Sequence, residues 1–333
     1  MISYDVLGVS VRENFIIPSA KLKKILNFAR QDKEIVMRKL RFALFGNIYQ
    51  AKKSTSAQKL LVLLEERQAT LLIDRPFYNY LVDEMKINVK CSELIDGNDF
   101  EADFVISMGG DGTFLEAARR VGDKGIPILG INMGRLGFLS DYQAEDIPAA
   151  IDAIYNSDFK CEERSLLQAD FSDSCNCDNP AHCPFALNEV SVLKQDNSSM
   201  ISIRVDINHE YLTTYQADGL IINTPTGSTG YAMSVGGSIM APGSNTIGLV
   251  PVAPHSLTVR PLTLPDDNEI TLTVESRSHN FLVSIDGRSE SYQEGTRITV
   301  KRAPYSVKVL KRSEASFFRT LRTKLMWGAD PRE

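Results

Sequence analysis

Between Leu40 and Ile131 the chain alternates runs of two different periods, and this alternation restricts its folding more than any other feature. Leu40 to Phe45, Thr70 to Asp74, Asp103 to Met108 and Ile126 to Ile131 are short, apolar and rich in β-branched or aromatic residues, and read as buried strands. Ser54 to Gln68, Pro76 to Met85 and Thr113 to Val121 lie between them with helical spacing. Strands separated by helices form βαβ units, because parallel neighbours need a long crossover. The expected product is an α/β domain with a mainly parallel Rossmann-like sheet. A further helix is read over Ala144 to Tyr155.

Beyond that helix the texture changes to strand after strand. Leu166 to Phe171, Phe185 to Leu193, Met200 to Ile207, Leu220 to Asn223, Ile270 to Val274, Phe281 to Ile285 and Thr296 to Lys301 are short, β-branched or alternating, and bounded by turn residues. This half reads as an all-β, β-sandwich-like C-terminal domain. Ser313 to Trp327 has helical spacing with Arg319, Arg322 and Lys324 on its polar side, and is expected to pack back on the core. The division is therefore 1–38 as a leader, 39–150 as the α/β domain, 151–310 as the β-rich domain and 311–333 as the returning helix, within a chain of 333 residues. The leader has one weak helical pattern through Leu22, Ile25, Leu26 and Phe28, and is expected to be dispensable, or Met37 to be the natural start.

Composition removes several function classes. The net charge of −5 argues against a broad polyanion-binding surface, so no nucleic acid is expected as a partner. The longest apolar run, Leu60 to Leu64, is far short of the ~20 residues that cross a bilayer, and no membrane partner is expected. The start of the chain lacks a secretory pattern and is too acidic for a transit peptide, with Asp5, Glu13, Asp32 and Glu34. Five cysteines, an odd number, fit a reducing compartment, and the expected location is cytoplasmic.

The sharpest local feature runs from Phe104 to Glu116, a strand that enters the turn Gly109-Gly110-Asp111-Gly112-Thr113 and leaves as a helix. Glycines let backbone approach a ligand closely, and free N–H groups beside a positive helix end cradle phosphate oxygens. Thr113 and Glu116 fit a capping box that starts the helix at this point. Asp111 is the odd residue, since phosphates repel a carboxylate. It needs a task such as taking a proton from a hydroxyl or holding a metal ion. A tight turn with a solvent-facing aspartate is the alternative. The segment lacks both the Lys-Ser/Thr of a Walker A loop and the spacing of the dinucleotide fingerprint, which disfavours a dehydrogenase.

Two further stretches are polar where apolar residues are expected. Asp218 to Tyr231 ends a strand in small hydroxyl and glycine residues, among them Thr229, Gly230 and Tyr231, and continues through Ser234 to Gly237. Such a run suits a base edge or a ribose, and equally suits an ordinary Ser/Thr/Gly loop. Asn188 and Glu189 interrupt the apolar stretch Phe185 to Val190, facing opposite sides of the expected strand. A ligand partner and a solvated strand edge both account for them.

In order, LFGN at 44–47, GGDGT at 109–113, GINMGRLGFL at 130–139, ALNEV at 186–190, DGLIINTPTGSTGYAMSVGG at 218–237, PVAPHSLTVRPL at 251–262 and SIDGR at 284–288 resemble the ATP-NAD kinase family. GGDGT-like turns also occur in diacylglycerol kinases and phosphofructokinases, and it is the later motifs that choose among these relatives. The resemblance implies transfer of the ATP γ-phosphoryl group to the 2′-hydroxyl of the adenosine ribose of NAD, giving NADP and ADP, with a divalent metal, Mg²⁺, brought with ATP. It makes Asp111 the general base, places Gly109 and Gly110 near the phosphates with Thr113 in the same turn, and puts Gly112 at the ribose. Asn188 and Glu189 match a dinucleotide-binding pair, and Phe138 an aromatic lining the pocket. Asp218, Thr229, Tyr231 and Ser234 match residues around the adenine and nicotinamide ends, the aspartate often coming from a neighbouring subunit. Arg288 stands at a polar dinucleotide contact. A homodimer or homotetramer is implied. Gly230 replaces the usual Ala, and Ser199 and Gln216 fall where relatives often carry larger basic residues.

Between Phe171 and Pro184 an insertion holds Cys175, Cys177, His182 and Cys183. These are zinc-type ligands, but the spacing is not the usual one, and the preferred reading is a loop without metal. His255 is assigned no chemistry. The rival readings are a lipid or sugar kinase that shares only the glycine turn, and a non-catalytic module that senses NADP.

Overall fold

The computed structural model describes residues 39–48, 54–134, 137–172, 183–196 and 199–329. The leader, with its helical pattern, and Cys175, Cys177 and His182 lie outside these residues.

The alternating half folds as β1 (Arg41–Gly46), α1 (Ser54–Glu66), β2 (Thr70–Asp74), α2 (Arg75–Asn79), β3 (Glu93–Ile95), β4 (Phe104–Gly109), α3 (Asp111–Val121), β5 (Ile128–Asn132), the short β6 (Tyr142–Gln143) and α4 (Ile147–Tyr155). β3, β2, β1, β4 and β5 lie side by side and parallel, with Leu44 opposite Ile73, Phe42 opposite Phe104 and Ile106 opposite Leu129. The period of two explains why these strands read as unbroken apolar runs. Phe42 and Leu44 face a core with Leu60 and Leu64 of α1 and Ile147 and Ile151 of α4. Ala43 and Phe45, on the other face, meet Phe114, Ala117 and Val121 of α3. Helices on both faces leave few positions for a polar side chain, and Ser107 of β4 and Asn132 at the end of β5 are the buried exceptions. Each fully buried Leu or Phe contributes about 1.5–3 kcal/mol.

The helix expected over Pro76 to Met85 is instead a short α-helix followed by a π-turn at Tyr80–Glu84, with Met85 N–H donating to the Tyr80 carbonyl at 3.1 Å. Phe77 and Leu81 both stay in the core through this change. The helix after the glycine turn starts at Asp111, not Thr113, because the chain turns at the extended residue Gly110. Thr113 then lies inside the first turn, and Glu116 bonds Arg119 rather than closing a capping box. The capping box forms elsewhere, between Gln143 and Asp146 ahead of α4.

The β-rich half contains β7 (Phe159–Phe171), β8 (Phe185–Ala186), β9 (Glu189–Lys194), β10 (Ile201–Ile207), β11 (Glu210–Ala217), β12 (Gly219–Asn223), the one-turn helix α5 (Tyr231–Ser234), β13 (Thr246–Val252), β14 (Leu262–Pro265), β15 (Ile270–Glu275), β16 (Asn280–Ile285), β17 (Arg288–Gln293), β18 (Arg297–Arg312) and the helix α6 (Phe317–Leu325). Among the described residues they complete two sheets. β11, β10, β15 and β18 extend the parallel ladder as an antiparallel wing with β7 alongside, making twelve strands. β14, β13, β12, β9, β16 and β17 form a second, wholly antiparallel sheet of six.

Ile203, Val205, Leu272, Val274, Ile298 and Val300 of the wing pack against Val190, Val192, Leu220, Ile222, Phe281 and Val283 of the second sheet. The sandwich thus shares one layer with the large sheet. β18 carries that continuity, pairing with β15 through Ile298 and lying parallel to β5 where Val309 meets Ile128. In this half the strands absent from the sequence reading are β11 and β17, edge strands with largely exposed side chains, and β13 and β14, whose runs are broken by Gly248, Pro251 and Pro265; in the alternating half the short β3 and β6 are also absent from it.

Candidate functional site

The carboxyl ends of β4 and β5, where parallel strands deliver their following turns, bring the glycine turn beside the loop residues 137–141. A Cβ on Gly109 would lie 2.1 Å from Thr113 Oγ1, so only glycine permits the strand to pass into α3 at this angle. Gly110 and Gly112 differ: a Cβ on either meets nothing within 4 Å. Their backbone faces open space beside a helix end whose first amides have no intrahelical partner, and no side chain caps it.

Asp111, the first residue of α3, does not point into solvent. Its Oδ2 accepts the N–H of Phe138 at 2.8 Å and its Oδ1 the N–H of Leu139 at 3.2 Å. Gly137 makes this approach possible, since a Cβ there would stand 2.5 Å from Asp111 Oδ1. The same loop is held from its other side by two lysines near the end of the chain. Lys324 of α6 donates to the carbonyls of Gly137 and Ser140, and Lys311 of β18 donates to Leu139 O at 3.1 Å and to Asp141 at 3.0 Å. Lys311 is only 5% exposed, and burial pushes its ammonium below the usual lysine range while Asp141 opposes the shift. Burial also lowers Lys324, with Lys311 adding to the effect and Asp141 and Asp111 countering it. Lys324 therefore turns inward, not to the polar side of its helix.

Across from this loop lies the hydroxyl and glycine run that follows β12. Phe138 and Leu139 line a narrow cleft of about 70 Å³ with Thr226 and Thr229, and Arg164, Glu162, Asp141 and Lys311 form its charged wall. Arg164 Nη1 donates to Thr226 Oγ1 at 3.2 Å. The Thr224–Gly230 loop in turn packs directly on Asn188 and Glu189. Thr224 N–H donates to Asn188 O at 2.9 Å, and a Cβ on Gly227 would lie 2.1 Å from that same oxygen.

Asn188 and Glu189 are not on opposite sides of one strand. β8 ends at Ala186 and β9 begins at Glu189, so the chain bends between them. A Cβ built on Gly230 stands 3.2 Å from Glu189 Oε2 and 3.6 Å from Asn188 Nδ2, which places both polar ends together at that glycine. Glu189 Oε2 is buried without a hydrogen-bond partner. Burial, reinforced by the negative charge of Asp286, pushes the Glu189 carboxyl up to about 7.

Asp111 is thus tied to Phe138, Phe138 and Thr229 line one cleft, and Thr229 adjoins Gly230, where Asn188 and Glu189 meet. Tyr231 follows Gly230 into α5, is 39% exposed, and Ser234 closes that turn of helix. Two expected residues are engaged elsewhere. Asp218 precedes β12 and Asn223 ends it, a separation of roughly 17 Å along a strand. Asp218 pairs there with Lys194 at 2.7 Å and lines a second cleft with Ser199, Gln216, Glu275 and Arg277. The Arg288 guanidinium donates to the carbonyls of Cys183 and Phe185, both at 3.2 Å.

The residues missed by sequence reasoning are charged ones that serve through the fold: Arg164, Lys311 and Asp286. Only Asp286 had a local signal, the Asp-Gly pair of a two-residue hairpin. Among the described residues no three His, Cys, Asp or Glu side chains converge as a metal cage. The glycine turn offers one carboxylate. Such a donor set fits a magnesium ion that arrives on a triphosphate and keeps phosphate and water as most of its ligands.

A carboxylate at a glycine turn that opens on a helix end, tied to the residues that share a cleft with a hydroxyl-rich loop, is a layout suited to a phosphotransferase acting on a nucleotide. The comparisons with known proteins agree with that class. The ATP-NAD kinase N-terminal domain matches residues 42–159, and the ATP-NAD kinase C-terminal domain matches residues 187–312. An NAD kinase of Bacteroides fragilis is 59% identical over 293 residues, covering 88% of this chain and all of the relative. An NAD kinase of Porphyromonas gingivalis is 41% identical over 289 residues, 87% of this chain and 98% of the relative. The chain belongs to the ATP-NAD kinase family. The fold is shared with yeast NADH kinase, crystallised with NADH, at a TM-score of 0.77 and 22% identity over 88% of this chain and 90% of that one. It is also shared with an Archaeoglobus fulgidus NAD kinase in complex with ATP, at a TM-score of 0.62 and 23% identity over 85% and 99%.

Proposed function

We propose that the chain, an NAD kinase enzyme that makes NADP from NAD and ATP, uses Asp111 as general base on the 2′-hydroxyl of the adenosine ribose. The observation that carries this reading is Asp111 itself, tethered by Phe138 and Leu139 at the open end of α3. In phosphoryl transfer most of the rate comes from alignment and charge neutralisation, and a base adds roughly 10²–10⁴-fold. The proton of the 2′-hydroxyl passes to an Asp111 oxygen as the ribose oxygen bonds to the γ-phosphorus. The bond from that phosphorus to the β–γ bridging oxygen breaks, and ADP leaves with the electron pair. The amides around Gly110 and Gly112 serve the triphosphate, with Gly109 and Thr113 shaping their turn. Magnesium brought by ATP supplies further neutralisation of phosphate charge.

Asn188 and Glu189, converging at Gly230, suit the polar edges of the dinucleotide, and Phe138 with Thr229 lines its cleft. Tyr231 and Ser234 extend that surface along α5. Asp218 lies too far along β12 to serve the same cleft, which supports its working in the pocket of a neighbouring copy, within a homodimer or homotetramer. No helix among the described residues is long and apolar enough to cross a membrane. The test incubates the purified protein with NAD, ATP and Mg²⁺ and reads new NADP with an NADP-specific dehydrogenase. Appearance of NADP in proportion to enzyme is expected. Tight NADP binding without turnover would leave a sensing module instead.

A further inference from the structure

The turn between β16 and β17 has two residues, Asp286 and Gly287, since Ile285 pairs directly with Arg288. Both are left-handed, at φ 48° and 80°, the pattern that favours Asp-Gly in a tight hairpin. That accounts for the residue types but not for the direction of the Asp286 side chain. Its carboxylate reaches back to three consecutive amides on another segment: Leu187 at 2.7 Å, Asn188 at 2.8 Å and Glu189 at 3.1 Å. The Asp286 N–H donates in return to Glu189 O at 3.1 Å.

The rest of that segment is tied as completely. Leu187 O accepts Thr224 Oγ1 at 2.6 Å and Asn188 O accepts Thr224 N–H at 2.9 Å. Two residues beyond Asp286, Arg288 fastens Cys183 and Phe185 on the upstream side of the same bend. Three adjacent N–H groups converging on one point form an anion-binding concavity. Left empty in a partly buried place it would carry unsatisfied donors, and the bend would relax toward a continuous strand. In a continuous strand, Asn188 and Glu189 would separate to opposite faces.

We infer that Asp286 is a positioning residue for dinucleotide recognition: by filling the three-amide nest at 187–189 it fixes the bend that brings Asn188 and Glu189 together at Gly230. Arg288 assists by holding the upstream flank of that bend through the Cys183 and Phe185 carbonyls. This assignment rests on the reading of Asn188 and Glu189 as the dinucleotide-binding pair.

Asp286→Asn is the informative variant, because Asn accepts left-handed backbone and keeps the hairpin, while its amide presents one acceptor oxygen and a donor that opposes the nest. The expected result is a rise of about tenfold or more in KM for NAD, with KM for ATP within about twofold of wild type. A second variant, Asp286→Gly, keeps the turn and empties the nest. Added formate is expected to lower its KM for NAD in a saturable way while leaving wild type unchanged. A KM for NAD within about twofold of wild type in a folded Asp286→Asn protein overturns the inference. So does Asp286→Gly with a raised KM that formate does not lower. Were wild type itself to make no NADP, the reading of the site would fail first. Active wild type beside an unaffected variant would sink the positioning role alone.

Discussion

Asp111 Oδ2 accepts the backbone N–H of Phe138 at 2.8 Å, across 27 residues of chain. One contact thereby joins the acid of the glycine turn to an aromatic that lines the cleft opposite. A carboxylate has about four lone-pair positions, and two amides leave room for a hydroxyl. The amides orient the group, which suits an enzyme whose rate depends mainly on alignment.

Asp111→Asn is expected to keep NAD binding within about tenfold while turnover falls by about a hundredfold or more. An amide must also turn one N–H toward the Phe138 or Leu139 donor, so the 137–141 loop should loosen. Steady-state kinetics and calorimetric NAD binding on the same preparation check both parts. Turnover close to wild type would remove Asp111 as the base.

Gly137→Ala introduces a Cβ 2.5 Å from Asp111 Oδ1. Either the carboxylate or the loop has to move, and the expected cost is about 1–3 kcal/mol of stability. Displacement of the reacting group by even about 1 Å lowers turnover by up to roughly 10²-fold. Chemical denaturation and kcat of the variant measure the two effects.

Lys324→Met leaves the Gly137 and Ser140 carbonyls without their ammonium donor. A loss of about 1–3 kcal/mol in stability is expected. Because the loop carries Phe138, kcat should fall by roughly tenfold or more even where the protein stays folded. An unchanged kcat would show that the lysine serves stability alone.

Glu189→Gln should change stability differently at different pH. The Glu189 carboxyl lies near 7 in the folded protein, raised first by burial and then by Asp286, above the ordinary value of 4.5 that applies unfolded. The folded state therefore holds the proton more tightly, and the native protein loses stability from this group as pH rises from about 4.5 through 7. Gln carries no charge to bury. The variant should be more stable than wild type at pH 8 by about 1–2 kcal/mol, after discounting for partial exposure, and equal to it near pH 4.5. Thermal denaturation at the two pH values measures the difference, and a gain independent of pH would contradict the assignment.

The sequence by itself determined the parallel ladder and the glycine turn. Phe42, Leu44, Ile73 and Ile106 are buried on a sheet covered on both faces, so their apolar character is visible without knowing the neighbours. The residue types of GGDGT likewise follow from local demands, a close passage at Gly109 and an open one at Gly110 and Gly112. Tertiary structure alone decided which amides meet Asp111, that Lys324 turns inward to Gly137 from 187 residues away, and that Asp218 pairs with Lys194 at the start of β12. It also decided that Asn188 and Glu189 meet instead of parting, because Asp286 bends the chain between β8 and β9 from 97 to 99 residues away. Side-chain period is a property of neighbours in sequence, whereas the satisfaction of a buried amide or ammonium depends on whichever distant group the fold delivers to it.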